Sequence, residues 1–388
     1  MEKVTFPLVS GEAREGLRTR LAALGFDEVR FARVGESDAR LQSWLAAGNH
    51  ADMAWIERSA AKRANAELAL PGARSVVILG VSYAGGKKLK TADRPKWARY
   101  AMHDDYHDTI KPGLVAAGKV LAESCALGER DYRYYVDTGP VLERGWAARS
   151  GVGFLGKNGM LISKRHGNWL FLATILTRAD IEPDAPLRKK ELPADGGEPA
   201  GLLCGKCTRC SDACPTQAIP QPGIVDARRC ISYQTIENRG VIPRELRAGI
   251  GDRIYGCDVC LDVCPWNRFA QAGQRMLLVV RDEIGELPLR EILALTPTRF
   301  AEVFRRTPIK RVKLAGLLRN GCIVAGNSGD ASLLPHLVAL AAHDVALVRA
   351  HAVWAVRRIA GEDANALLAE CQNRETNATV LAEYAAED

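Results

Sequence analysis

Residues 204–215 read CGKCTRCSDACP, and four thiols within eleven residues constrain this chain more than any other feature. The spacing, Cys204-x2-Cys207-x2-Cys210-x3-Cys214-Pro215, is that of a bacterial ferredoxin run, whose thiolates hold iron–sulfur clusters. A second group, Cys257-x2-Cys260-x3-Cys264-Pro265, repeats the end of the first but has Ile254 where a leading cysteine would stand. In two-cluster ferredoxins the fourth cysteine of each run ligates the other cluster. That rule makes Cys204, Cys207, Cys210 and Cys264 one complete set and leaves Cys214, Cys257 and Cys260 one thiolate short. Cys230, in DARRCISY between the runs, is the cysteine available nearby to complete the second set, so eight thiolates divide into two [4Fe–4S] sites. Zinc modules favour two separated C-x2-C knuckles, a pattern that these interleaved Cys-Pro runs fit poorly. Cys125, Cys322 and Cys371 lie in apolar helical patterns and read as small buried hydrophobes without a function.

A ferredoxin core needs only about 80 residues, so most of the 388-residue chain serves another purpose. With 47% hydrophobic and 26% charged residues the composition is that of an ordinary globular protein. No stretch approaches the ~18 apolar residues of a membrane span. The N-terminus, MEKVTFPLVSGEAREGLRTR, lacks an apolar export region, so a cytoplasmic protein is expected. In that reducing compartment eleven cysteines read as ligands rather than disulfides.

Three parts are expected: an α/β domain over 1–190, a ferredoxin-like two-cluster domain over 191–275 and a helical domain over 276–388. In the first, 26–34, 74–83, 132–139 and 169–177 have strand character, while Arg14–Leu24, Ser37–Ala47 and Gly113–Leu127 carry helical periodicity. The Pro-, Gly- and charge-rich segment 182–201 suits an exposed linker. From about residue 312 the pattern is helical. Leu314, Leu317, Leu318, Cys322 and Ala325 share a face, and GNSGD (326–330) should end that helix, with Gly326 or Asn327 at the C-cap and Asp330 or Ser332 starting the next. A helix over Leu334–Ala341 and an apolar stripe from Val345 to Ile359 follow, which fits a short HEAT-like array. Seven basic residues (Arg299, Arg305, Arg306, Lys310, Arg311, Lys313, Arg319) against Glu302 alone form a block able to track phosphates, or else a solvated basic face.

Several stretches resemble one family, the epoxyqueuosine reductases, which carry out the last step of queuosine synthesis on transfer RNA. They are ADMAWIERS (51–59), LPGARSVVILGVSY (70–83), ARYAMHDDYH (98–107), VDTGPVLERGWAARSGVGFLGKNGMLI (136–162), the first cysteine run, VDARRCISYQTIE (225–237) and YGCDVCLDVCPWNR (255–268). Their order and spacing hold along nearly the whole chain. The resemblance implies a base-off cobalamin bound between the α/β and cluster domains, within electron-transfer reach of one cluster, and a tRNA whose wobble base is turned out of its stack. It also implies an electron donor, which the sequence does not identify, and no membrane partner. A histidine cobalt ligand has no support: in the nearest D-x-H-x2-G candidate, Asp105-Tyr106-His107, Ile110 replaces the glycine.

Asp137, in YYVDTGP, matches the family's proton donor. Read from the residues alone, it is first a turn residue before Thr138-Gly139-Pro140, with an acid whose pKa desolvation at the strand end raises as the second reading. The resemblance favours the acid and adds Asp137 to the cobalamin contacts. The other contacts it implies are Arg58, the loop residues Lys157, Asn158 and Leu161, and Ser232, Tyr233, Gln234 and Asp258 beside the cluster cysteines. Two rivals share parts of this pattern. A reductive dehalogenase uses both cofactors but usually carries a twin-arginine export signal, absent here; a tRNA-binding electron carrier would have no chemistry of its own.

Overall fold

The structure, a computed structural model, describes residues 6–35, 40–85, 94–187, 200–273 and 278–386. Most of the expected linker, 188–199, lies outside the described residues, as do 37–39 of the second expected helix, which runs Arg40–Ala46.

The N-terminal part is built on a four-stranded sheet. Helix α1 (Gly11–Ala22) leads to β1 (Glu28–Arg33) and the central β2 (Ser75–Ser82); α2 (Tyr106–Cys125) precedes β3 (Tyr132–Val136); α3 (Glu143–Arg149) and the hairpin β4 (Gly153–Leu155) and β5 (Leu161–Ser163) precede β6 (Leu170–Thr177). The strand order is β1-β2-β6-β3, and every pairing is antiparallel. The strands fall where the β-rich runs lie. Their direction is a tertiary outcome, because the long connections let each strand return from either end of the sheet.

Strand β2, SVVILGVS, is buried along its whole length because both faces of the sheet are covered. Period-2 alternation sends Val77, Leu79 and Val81 to a core with Leu17 and Leu21 of α1 and Leu114 and Leu121 of α2. Val76 and Ile78 point the other way, towards Trp146 and Ala147 of α3 and Leu155 and Leu161 of the hairpin.

Helix α2 begins at Tyr106, seven residues before the expected start. Asp105 caps it, its side chain accepting from the His107 backbone N–H at 3.2 Å, and the helix continues through Pro112. Proline in a helix interior costs about 3 kcal/mol; here the buried stripe Ile110–Leu114–Ala117–Leu121 and the cap keep the extra turns helical. Those turns carry Tyr106 and His107.

The cluster segment contributes α4 (Ile231–Ile236), α5 (Arg244–Ile250) and β7 (Arg253–Tyr255). Five longer helices follow: α6 (Lys313–Ser328), α7 (Leu334–Ala341), α8 (Ala346–Ala360), α9 (Ala364–Arg374) and α10 (Ala378–Ala385). Helix α6 runs past the expected stop, through Gly326 and Asn327, and ends at Gly329 in the left-handed conformation (φ 70). Packing explains the extension: Gly326 lies against the Trp354 ring, where a Cβ would come within 2.6 Å of Cζ3, and Asn327 donates to the carbonyls of Arg247 and Gly251. Asp330 starts the next turn as expected, accepting from Ser332 N–H. One core joins both parts, with Ile231, Leu246, Ile250 and Tyr255 of the cluster segment packed among Ile292, Leu317, Leu337 and Val353. No helix among the described residues is long and apolar enough to cross a membrane.

Candidate active site and cluster centre

Strand β3 ends at Val136, and Asp137 takes the left-handed conformation (φ 56), a region that Asp tolerates better than most residues. Thr138 N–H reaches back to the Val136 carbonyl at 2.5 Å, closing a tight turn around the aspartate. The carboxylate does not cap that turn. Its Oδ2 accepts from the Tyr106 hydroxyl at 2.7 Å and lies 3.4 Å from His107 Nε2. His107 Nδ1 is 2.7 Å from Asp105 Oδ1, and Asp105 Oδ2 is 2.8 Å from Lys310 Nζ. Tyr106 is fixed by stacking on Phe171 of β6, with centroids 4.4 Å apart.

The charge states follow from this chain of contacts. Crowding by its neighbours would raise Asp137, although most of its side chain is exposed, but the hydrogen bonds from His107 and Tyr106 outweigh it and hold the carboxyl at about 2. The expectation that burial keeps Asp137 protonated is therefore corrected: the free enzyme carries a carboxylate there. Burial likewise opposes charge on His107, yet Asp105 and Asp137 raise it to about 9, so the proton resides on the imidazolium. Glu143, in the first turn of α3, is pushed up to about 8 by burial, and the Asp137 charge adds to that shift. Its Oε1 is buried without a hydrogen-bond partner. The sequence signals for His107 and Glu143 were faint: one is a histidine two residues beyond a helix cap, the other a glutamate six residues beyond Asp137.

The two cysteine runs fold into the same local turn. Cys214 N–H donates to the Ser211 carbonyl at 3.2 Å and Cys264 N–H to the Leu261 carbonyl at 3.1 Å, each closing a short helical turn, Arg209–Asp212 or Val259–Asp262. Cys204, Cys207, Cys210 and Cys264 line one small cavity together with Lys157, Ile162 and Trp266. In the other group, burial raises the thiols of Cys230, Cys257 (to about 11) and Cys260; Cys214 acts electrostatically on Cys230, and Cys230 on both Cys257 and Cys260. The structure thus gathers the first foursome that the spacing rule selects around one cavity; the second is linked by electrostatic influence, which for Cys260 also includes Cys210 of the first. Among the described residues no three His, Cys, Asp or Glu side chains gather closely enough to hold a single metal ion.

The remaining candidates are distributed around these centres. Lys157 Nζ donates to the carbonyls of Gly205 and Cys207, fastening the glycine-rich loop to the first cysteine run, and buried Asn158 donates to Asn168 Oδ1. Leu161 is buried beneath α3. The Tyr233 hydroxyl donates to Asp52 Oδ2, which brings α4 beside the short helix Ala54–Arg58, whose Arg58 is exposed. Ser232 is half-buried in the first turn of α4, and the Gln234 amide is engaged by the Arg228 carbonyl and by Asn238. Asp258 Oδ2 accepts from Arg99 N–H at 2.7 Å, and burial pushes its carboxyl up to about 6. An open cleft of about 1030 Å³ separates the α/β part from the cluster segment; Arg99, Trp169, Arg209, Asp262, Cys264 and Arg268 are among its walls.

The basic block is less free than its sequence. Arg299 pairs with Glu302, Arg306 with Asp104, Lys310 with Asp105 and Arg311 with Glu237, while Arg319 is fully buried and cannot meet a phosphate. Arg305 and Lys313 are exposed.

Residues 203–267 match the family described as 4Fe-4S double cluster binding domain, and residues 63–138 match that described as Epoxyqueuosine reductase QueG, DUF1730. The chain is 37% identical over 357 residues to the epoxyqueuosine reductase of Xanthomonas campestris pv. campestris, covering 89% of this chain and 96% of that protein. To the Escherichia coli K12 epoxyqueuosine reductase it is 34% identical over 357 residues, 90% of each chain. Among solved structures it resembles an epoxyqueuosine reductase with a tRNA-TYR epoxyqueuosine-modified tRNA stem loop (TM-score 0.81, 30% identity, 96% of each chain). It also resembles the Bacillus subtilis enzyme captured with its catalytic aspartate loop swung out of the active site (TM-score 0.82, 29% identity, 96% of each chain).

Proposed function

The chain belongs to the epoxyqueuosine reductases, and from that membership we propose that it reduces epoxyqueuosine to queuosine at the wobble position of a tRNA anticodon, the last step of queuosine biosynthesis. Removing the epoxide oxygen consumes two electrons and two protons and releases water. The observation that carries this reading is Asp137, held on a strained turn at a sheet edge by two proton-bearing groups, Tyr106 and His107, in a chain that also carries the cysteines of two four-thiol sets.

The electron side uses the two sets. Cys204, Cys207, Cys210 and Cys264 would hold one [4Fe–4S] cluster, and Cys214, Cys230, Cys257 and Cys260 the other. The cleft that reaches Cys264 is walled by none of the nine contacts that the family implies, whereas both nitrogens of His107 are engaged by carboxylates rather than free for a metal, in keeping with a base-off cobalamin. Arg58, Asp137, Lys157, Asn158, Leu161, Ser232, Tyr233, Gln234 and Asp258 would line its site. When bound, the cofactor supplies the strongly reducing, nucleophilic centre that no side chain provides.

The proton side belongs to this chain's own residues. His107 stores a proton at neutral pH, and Asp137 stands between it and the open surface. Covering Asp137 with the substrate would exclude water and strengthen desolvation, moving the shared proton towards the carboxylate, which then delivers it to the departing oxygen. Lys310 keeps Asp105 ionised and thereby holds His107 in register. The helical C-terminal part, a HEAT-like array in this reading, would present Arg305 and Lys313 to tRNA phosphates. Incubating the reduced enzyme with epoxyqueuosine-containing tRNA and analysing the digested nucleosides tests the proposal; tRNA binding without queuosine formation would leave an electron carrier instead.

A further inference from the structure

Arg319 and Asn320 sit in the middle of α6, and both are fully buried. Their side chains point at the cluster segment and bond to its backbone rather than to other side chains of it. Arg319 Nη2 donates to the Gln234 carbonyl at 2.8 Å, and Nη1 to those of Asn238 and Gly240 at 2.7 and 3.0 Å. Asn320 Nδ2 donates to the carbonyls of Thr235 and Ile254, both at 2.8 Å, while its Oδ1 accepts from Arg319 Nε at 3.0 Å and Nη2 at 2.9 Å.

The recipients carry the meaning. Gln234 and Thr235 lie in the last turn of α4, where helix carbonyls lack internal partners. Cys230 is the N-cap of that same helix. Ile254 lies in β7, three residues before Cys257, and Gly256 N–H donates to the Thr235 hydroxyl at 2.9 Å. Gly256 itself (φ 72) packs where a Cβ would come within 2.5 Å of the Ala98 Cβ, so this approach leaves no slack. Two side chains of the helical part thus tie together the two stretches that deliver Cys230 and Cys257.

The charge is also unusual. Among the described residues no carboxylate pairs with Arg319; burial lowers its pKa below the ordinary arginine value, but still above neutrality, so it remains a cation. A buried cation without a counter-ion is costly unless something nearby is negative. The carbonyls of α4 supply part of this, as the negative end of a helix. A cluster held by four thiolates supplies more, and four residues, about 6 Å of helix rise, separate Cys230 from Gln234.

We propose that Arg319 and Asn320 are positioning residues of the cluster held by Cys214, Cys230, Cys257 and Cys260, fixing the backbone from which Cys230 and Cys257 project, with the Arg319 charge favouring that cluster's reduced state. The proposal rests on the ligand grouping above. Reduction adds a negative charge, so a nearby fixed cation raises the midpoint potential, and the first cluster, tied to α6 by neither stretch, is spared.

The test is a redox titration of the anaerobically reconstituted full-length protein, followed by electron paramagnetic resonance, with Cys230→Ser identifying the second cluster's signal. Arg319→Met should lower that cluster's midpoint potential and leave the first unchanged. Arg319→Lys, which keeps the charge but not the fork, should restore most of the potential while releasing iron to a chelator several-fold faster than the parent. Asn320→Ala, which keeps the charge, should speed iron release from the second cluster alone, and it carries the test should Arg319→Met fail to fold. Unchanged potentials in Arg319→Met, equal shifts of both clusters, or parental iron release in Asn320→Ala would overturn the proposal. A Cys230→Ser protein that retains both signals would overturn the grouping instead.

Discussion

Replacing Asp137 with Asn isolates the proton from the architecture. Asn tolerates the left-handed backbone at φ 56, and its amide oxygen still accepts from the Tyr106 hydroxyl. What disappears is the anion facing His107. The side chain of Asp137 is 67% exposed, so the lost ion pair costs less than about 1 kcal/mol of stability, in the range of screened surface pairs. The kinetic effect is expected to be far larger. A carboxylate that relays a proton in the transition state contributes about 10²–10⁴-fold, or roughly 3–5 kcal/mol of barrier at 1.36 kcal/mol per tenfold. With Asp137 gone, His107 keeps only Asp105 as an anionic partner, so its pKa should fall from about 9 towards its ordinary value. Parent turnover is therefore expected to hold across the neutral range and decline only as pH rises through about 9, whereas the slow variant should decline from a lower pH. Single-turnover deoxygenation of epoxyqueuosine-containing tRNA under saturating reductant, read by nucleoside analysis across pH, measures both. An Asp137→Asn protein that turns over like the parent, with chemistry rate-limiting, would refute the proton role. Loss of cobalamin from the variant would leave Asp137 a cofactor contact alone and move the proton source elsewhere.

Cys230→Ser should lower the iron content from about eight to about four per chain, as measured by iron assay after anaerobic reconstitution, with the set ending in Cys264 intact. Reversing Arg305 and Lys313 to Glu should weaken tRNA binding and flatten its log–log salt dependence by about 2 while leaving cluster spectra unchanged; Lys310 is unsuited to this test because it holds Asp105. Glu143, with a folded pKa of about 8 against an ordinary 4.5, binds a proton that the unfolded chain releases, so stability falls as pH rises from about 4.5 through 8. Glu143→Gln should remove that slope, gaining about 1–3 kcal/mol relative to the parent at the alkaline end in urea titrations. Glu383 accepts from Arg244 and from both arms of fully buried Arg247, so Glu383→Ala should cost about 3–5 kcal/mol and lower the urea midpoint.

What the sequence determined by itself is mostly what depends on spacing along the chain. Cysteine intervals dictate which thiols a short turn can aim at one cluster, and the structure places the two runs in matching turns with Cys264 crossing to the first set. Runs rich in β-branched and aromatic residues located β2 and β6, and the helical period located α7 to its ends. Tertiary structure alone decided matters that depend on who meets whom. The sheet is antiparallel although its long connections leave strand direction open, and α6 runs past Gly326 because Trp354 packs against it. Arg319 looked like one more charge in a basic block, yet burial against Gln234, Asn238 and Gly240 removes it from any phosphate-binding surface. The protonation of the candidate site was equally hidden. Asp137 and His107 lie thirty residues apart, and only their approach, with Asp105 behind the histidine, places the proton on the imidazole rather than on the carboxyl. Periodicity and spacing record forces between near neighbours in the chain, whereas a charge state is set by the solvent and the partners that folding removes or supplies.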